Sequence, residues 1–206
     1  TAKEVMTNIE AIYNEDPAIF AKAYFHYVSK ILEDIDVKEI SQFIKILLDA
    51  RNKGSTIFFM GNGGSAATAS HFANDLAIGT NSYHKPFRVI SVTDNAPIIT
   101  AIGNDFGYED VFERQLRVLG KSGDIVVGIS ASGNSPNLVK AFETAIKMGM
   151  KTLALTAFDG GKMREMADGG IHVPTGLKEY GPAEDAHMIL DHLVGAYLIQ
   201  LVKKGG

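Results

Sequence analysis

Six side chains in two short stretches of this sequence have the types and spacing for acid–base or metal chemistry. His71 and Asp75 stand four residues apart, about one helical turn, so a helix puts them on one face. Farther along, Glu184, His187 and Asp191 follow the i, i+3, i+7 spacing of one helical face, with His192 at its edge. Two helices that each turn an imidazole and a carboxylate to one side supply what a His/carboxylate metal site or a general acid–base pair requires. A single His–Asp pair at this spacing is equally the pattern of an exposed ion pair, worth only about 0.2–0.5 kcal/mol. The second stretch is flanked by Met188, Ile189, Leu190, Leu193 and Val194. Charges in so apolar a helix are more often buried and partnered than solvated. His26, His84 and His172 stand alone and read as structural or solvated.

Two small-residue loops point to the ligand. Gly61-Asn62-Gly63-Gly64-Ser65 follows the apolar run Ile57-Phe58-Phe59-Met60. Ser130-Ala131-Ser132-Gly133-Asn134-Ser135-Pro136 follows Ile125-Val126-Val127-Gly128-Ile129. A strand, a small polar loop and a helix build an anion site, because free N–H groups at the helix start face the ligand and serine hydroxyls add donors. Neither loop carries the lysine of a nucleoside-triphosphate loop, so a sugar phosphate fits better than ATP. A tight strand-to-helix turn is the alternative for either loop alone, and the presence of two favours a ligand. Asn104 to Phe112 reads as an Asp/Gly turn leading into a helix. Asp159-Gly160-Gly161-Lys162-Met163 reads as a turn opening a short helix, and its glycine pair can equally line a ligand.

The elements that must hold these residues follow from apolar periodicity. The first 50 or so residues are helical in pieces, with helical spacing over 18–33 and 37–52. Asp16-Pro17 suits a helix start, and Gly54 suits a C-terminal cap. Strands are predicted at 56–60, 87–91, 124–129, 152–156 and 170–173, separated by helical pattern or turn residues. That alternation specifies a parallel sheet with helices on both faces and a ligand site beyond the carboxyl ends of its strands. Residues 182–203 read as one long helix, with Pro182 in its first turn and Glu184 and Asp185 complementing its N-terminal dipole.

The 206 residues are expected to form a single domain, with helices over 1–53 and an α/β core over 54–206. A net charge of −4 argues against a nucleic-acid or anionic-membrane partner. With no cysteine, disulfides and thiolate metal sites are excluded. No apolar run approaches the roughly 20 residues of a membrane span, and residues 1–14 lack the apolar core of a secretory signal. A cytoplasmic protein is expected.

Four motifs occur here in order: Gly61-Asn62-Gly63-Gly64-Ser65, Gly103-Asn104-Asp105-Phe106-Gly107, Gly128-Ile129-Ser130-Ala131-Ser132-Gly133-Asn134-Ser135 and Asp159-Gly160-Gly161-Lys162-Met163. Together they closely resemble the sugar isomerase (SIS) domain family in its phosphoheptose isomerase branch, from about Ser55 to the C-terminus. The resemblance implies a three-layer α/β/α sandwich with a five-stranded parallel sheet and N-terminal helices, assembled as a homotetramer with active sites between subunits. It implies isomerisation of sedoheptulose 7-phosphate to D-glycero-D-manno-heptose 7-phosphate, the entry to bacterial heptose synthesis. The family's phosphate-holding serines fall on Ser130, Ser132 and Ser135, with Asn62, Gly63, Gly64 and Ser65 nearby. Its catalytic carboxylate falls on Asp75, where the family usually has Glu, and its catalytic histidine on His192.

Zinc-binding members of the family use those two residues, the histidine at His71 and a glutamine at the position of Glu184. The resemblance therefore implies one Zn²⁺ per subunit, held by His71, Asp75, Glu184 and His192. Asp75 retracts the acid by one methylene, and Glu184 brings a carboxylate from the opposite helix that can compensate as a catalytic acid. The aspartate that the family carries just before its final helix has no match in Glu179-Tyr180-Gly181-Pro182. These departures keep two alternatives open: an isomerase of a different phosphosugar, or a non-catalytic SIS protein that binds a sugar phosphate or a partner such as the replication initiator DnaA.

Overall fold

The structure, a computed structural model, describes residues 6–205. Residues 1–5 and 206, and with them part of the segment read for a secretory signal, lie outside it. Local chemistry sets the first helices. Helix α1 (Asn8–Ile12) opens on a reciprocal box in which Thr7 and Glu10 each satisfy the other's backbone N–H. Asp16 caps α2 (Pro17–Glu33), whose first turn holds Pro17. Asp36 caps α3 (Val37–Lys53), and Gly54 ends it at a φ of 67°, a left-handed conformation that costs glycine no Cβ clash.

Five strands form one parallel sheet: β1 (Thr56–Gly61), β2 (Arg88–Ser91), β3 (Ile125–Ser130), β4 (Lys151–Thr156) and β5 (Gly169–His172). Each lies within a residue of its sequence-predicted position. The intervening helices are α4 (Gly64–Asn74), α5 (Ala96–Asp105), α6 (Glu113–Leu119), α7 (Pro136–Lys147), α8 (Gly161–Met166) and α9 (Tyr180–Lys203). Strand periodicity then builds two cores. Phe59, Val127 and Leu153 pack beneath Phe43 and Leu47 of α3, Phe72 of α4, and Leu190 and Val194 of α9. Their neighbours Phe58, Val126 and Ala154 face Leu116 of α6, Leu138 and Phe142 of α7, and Met163 of α8. Side chains alternate across the pleat, so a central strand that is apolar on both faces must be covered twice. The result is a three-layer α/β/α sandwich.

Strand order is β2-β1-β3-β4-β5. The chain leaves β1 toward one edge and β3 toward the other, so a crevice opens between the carboxyl ends of these two strands. Both small-residue loops lie at that crevice, one after β1 and one after β3. Helix α9 starts two residues earlier than the sequence reading has it. Pro182 still falls in the first turn, where no intrahelical N–H bond is required, but Glu184 and Asp185 lie beyond the dipole's strongest reach. Glu179, buried just before α9, accepts from the backbone N–H groups of Asn8 and Gly176 and from the Tyr27 hydroxyl. This carboxylate ties the N-terminal helices to the start of α9. Among the described residues, no helix is long and apolar enough to cross a membrane.

Candidate active site

The serine loop is a cradle of hydroxyls. Ser130 Oγ lies 3.5 Å from Ser132 Oγ and 3.4 Å from Ser135 Oγ, and accepts from the Gly133 N–H at 3.1 Å. Ser135 precedes α7 without making a side-chain cap bond, so its hydroxyl is not committed to the helix. The glycine pair of the fourth motif packs onto this loop from behind. Met163 N–H donates to Gly133 O at 2.9 Å, and Lys162 N–H donates to Asn134 Oδ1 at 3.1 Å. Of the two readings of that segment, a helix-opening turn and a ligand lining, the structure shows the turn, which opens α8 and which these contacts hold against the serine loop.

The glycine loop forms the opposite wall. A pocket of about 150 Å³ separates the two loops, with Asn62, Ser65, Ser130, Ser132, Ser135 and Glu184 on its walls. Asn62 is held by a reciprocal amide pair with Asn137 (2.9 and 3.0 Å) and by the Tyr108 hydroxyl, which donates to its Oδ1 at 2.9 Å. Sequence reasoning assigned no role to Tyr108 or Asn137. No spacing rule connects them to Asn62, because the contact joins segments 46 and 75 residues apart.

The residues of the two chemical helices come together where α4 passes α9. His71 Nε2 is 3.4 Å from Asp75 Oδ2 and 3.3 Å from His192 Nε2. The two imidazole rings meet edge to face, with centroids 5.0 Å apart. Asp75 begins a π-helical turn, Asp75–Gly79, that continues α4. Such turns widen a helix locally and occur often at functional sites. The fourth member of the group is Asp191. Its side chain is fully buried, and its Oδ2 lies 3.9 Å from His71 Nε2. His71, Asp75, Asp191 and His192 each offer a ligand atom within 4.8 Å of the others.

Glu184, which the resemblance implies as a ligand, is not among these four. Glu184 and His192 are eight positions apart on α9, about 12 Å along the axis. The Glu184 carboxylate lies instead against the first residue of α4: a Cβ added to Gly64 would fall 2.2 Å from Glu184 Oε2. Gly64 is therefore the residue that admits Glu184 to the pocket. Burial, and then the nearby Asp185, raise the Glu184 carboxyl above its usual range. Burial, and then the charge of Asp75, push Asp191 up to about 7.

His187 faces elsewhere. Its fully buried Nε2–H donates to the Thr156 carbonyl of β4 at 3.2 Å, so the imidazole anchors α9 to the sheet. Burial depresses its pKa from 6.5 to about 4. Between those values the unfolded chain binds a proton that the folded one refuses. The stability tied to this group is thus complete above pH 6.5 and lost as pH falls toward 4. It amounts to about 3 kcal/mol, at about 1.4 kcal/mol per pH unit. Urea unfolding across pH 4–7 is expected to show this slope, and His187→Gln is expected to flatten it by about one proton. An unchanged slope in the variant would assign the acid sensitivity to other groups. Of the two readings for His172, structural or solvated, its contact favours the first: its Nδ1 lies 3.1 Å from the Thr156 hydroxyl.

The comparisons with known proteins agree with this fold. The SIS domain model matches residues 23–157. The phosphoheptose isomerase of Akkermansia muciniphila is 43% identical over 157 residues, 76% of this chain and 82% of that protein. A solved phosphoheptose isomerase from Neisseria gonorrhoeae superposes with a TM-score of 0.77 at 32% identity, covering 86% of this chain and 96% of that one. One from Francisella tularensis gives 0.79 at 28% identity, covering 87% and 96%. A hydroxyl-lined cradle at the switch point of this sheet, with imidazoles and carboxylates gathered beside it, thus occurs in a chain that belongs to the phosphoheptose isomerase branch of the SIS domain family.

Proposed function

We propose that this chain is an aldose–ketose isomerase that converts sedoheptulose 7-phosphate to D-glycero-D-manno-heptose 7-phosphate. One observation carries the reading: α4 connects the phosphate cradle to the acid–imidazole group. Ser65 at its start and His71 near its end are six residues apart, about 9 Å of helix. An extended sugar of six or seven carbons spans that distance with its terminal phosphate on Ser130, Ser132 and Ser135 and its C1–C2 end near Asp75 and His192. A triose phosphate does not.

The reaction moves a proton between adjacent carbons through an enediol. Asp75, beside the C1–C2 end, takes the carbon-bound proton, and His192 shuttles a proton to or from oxygen, while Glu184 on the wall of the serine pocket lies at the phosphate end. The donor set also fits a divalent cation, with Zn²⁺ the first candidate. Two imidazoles and Asp75 converge, and Asp191 adds buried carboxylate oxygens that have no hydrogen-bond donor among the described residues. A bound cation supplies Lewis-acid polarisation of the sugar carbonyl.

Assembly into a homotetramer is part of this reading, supported by Ile189, Leu193 and Tyr197, exposed apolar residues one turn apart on α9. The test is turnover of a panel of ketose phosphates of three to seven carbons, with and without added Zn²⁺. The seven-carbon substrate is expected to react fastest. Absence of turnover on every member, with tight sugar-phosphate binding retained, would establish a binding protein instead.

A further inference from the structure

The hydrogen bonds that join Tyr108, Asn62 and Asn137 have only one consistent polarity. The assignment starts at a backbone group. Leu138 N–H can only donate, and it donates to Asn137 Oδ1 at 3.0 Å. That fixes which end of the Asn137 amide is oxygen and which is nitrogen. Asn137 Nδ2 then donates to Asn62 Oδ1 at 2.9 Å, and Asn62 Nδ2 donates back to Asn137 Oδ1 at 3.0 Å. The Tyr108 hydroxyl, 2.9 Å from Asn62 Oδ1, faces an oxygen and therefore donates. Asn62 Oδ1 thus holds two donors. An amide nitrogen carries two hydrogens, and the bond to Asn137 uses one of those on Asn62 Nδ2. No protein acceptor takes the other among the described residues, and Asn62 stands in the wall of the pocket that the serines line.

We propose that the Tyr108 hydroxyl is a positioning group for substrate: through Asn62 Oδ1 it holds the Asn62 amide so that the uncommitted Nδ2 hydrogen is offered to the anionic end of a sugar phosphate beside Ser130, Ser132 and Ser135. The inference rests on the sugar-phosphate reading above and adds a residue to it. Tyr108 is 58% exposed, so its ring is not part of either core. Its backbone is anchored from the other side. Tyr108 opens a single turn of 3-10 helix, Tyr108–Asp110, and Asp110 accepts from Lys140 of α7 and Arg114 of α6. This turn is therefore pinned to the helix that carries Asn137, and it reaches from there to the loop after β1. Without the phenol oxygen, Asn62 Oδ1 keeps its Asn137 donor, so no acceptor is stranded. The amide loses one of two restraints on its plane, and the freedom it gains must be frozen again whenever a ligand binds.

The test compares the parent with Tyr108→Phe, Asn62→Ala and the double variant. Calorimetry measures binding of sedoheptulose 7-phosphate and of inorganic phosphate to the full-length proteins, and steady-state kinetics gives kcat and KM. Tyr108→Phe keeps the ring and removes one oxygen. It is expected to weaken binding of both ligands by about 3- to 10-fold, the scale of one hydrogen bond. KM should rise in step, with kcat changed less than about twofold, because the acid–imidazole group is untouched. The melting temperature is expected to stay within about 2 °C of the parent, as for an exposed substitution. In the Asn62→Ala background the same substitution is expected to change affinity by less than about 1.5-fold, since the amide it acts through is gone.

Unchanged affinity in Tyr108→Phe overturns the proposal. So does an equal loss in both backgrounds, which is the result a merely structural tyrosine would give. Failure of the parent to bind either ligand is a different result: it overturns the sugar-phosphate reading itself, and this role with it.

Discussion

His192→Ala is expected to lower turnover of the heptose phosphate by about 10²- to 10⁴-fold, the range over which positioned acid–base groups act. The side chain is exposed and lies at the edge of the α4–α9 contact, so its removal creates no core cavity. Far-UV circular dichroism and the midpoint of metal-free unfolding should therefore match the parent. The partition of the loss is informative. On the proposed reading, phosphate anchoring falls to Ser130, Ser132 and Ser135 rather than to His192, so the deficit should appear in kcat, with KM changed only a few-fold. The converse substitution, Ser132→Ala, should raise KM and leave most of kcat. Full activity in His192→Ala would remove the imidazole from the mechanism and move the reaction to the Asp75 carboxylate alone.

Gly133→Ala is expected to destabilise the fold by about 2–5 kcal/mol, the sum of a left-handed backbone penalty and severe overpacking. Gly133 has a φ of 62°, and an added Cβ would lie 1.9 Å from Gly160 O. Backbone cannot swing aside as a flexible side chain does. The serine loop and the Gly160–Gly161 turn must therefore separate, and the Met163 N–H bond to Gly133 O breaks with them. Loss of phosphate affinity should accompany the loss of stability, since the same loop presents the hydroxyls. Gly54→Ala supplies the control. Its φ is similar at 67°, but an added Cβ meets nothing within 4 Å. That variant should lose only about 1–2 kcal/mol, the left-handed penalty alone. Urea unfolding of both proteins measures the difference, and equal losses would show that conformation rather than contact governs Gly133.

The helix and strand positions were legible because each depends on neighbours in sequence. Asp16-Pro17 and Gly54 are caps that any chain with those residues can use locally. Runs such as Ile125 to Ile129, apolar at every position, identify a strand covered on both faces. The family motifs carry more, since four loops in order specify a topology as well as elements. Harder to read was the depth of each α9 side chain. Glu184, His187, Asp191 and His192 are near neighbours in sequence, yet they meet four surroundings: a serine-lined pocket, the sheet, a buried polar group and an exposed edge.

By itself, the sequence determined the alternation of strands and helices, the two hydroxyl- and glycine-rich loops and the pairing of His71 with Asp75, because backbone periodicity brings residues four apart together regardless of the rest of the chain. Only the tertiary structure decided that Asp191 lies beside His71, Asp75 and His192, that Glu184 enters the serine pocket over Gly64, and that Tyr108 and Asn137 hold Asn62. Those contacts depend on where α4 crosses α9 and how the loops meet across the β1–β3 crevice. These distances are set by the packing of two separate cores against one sheet, and no local spacing encodes them.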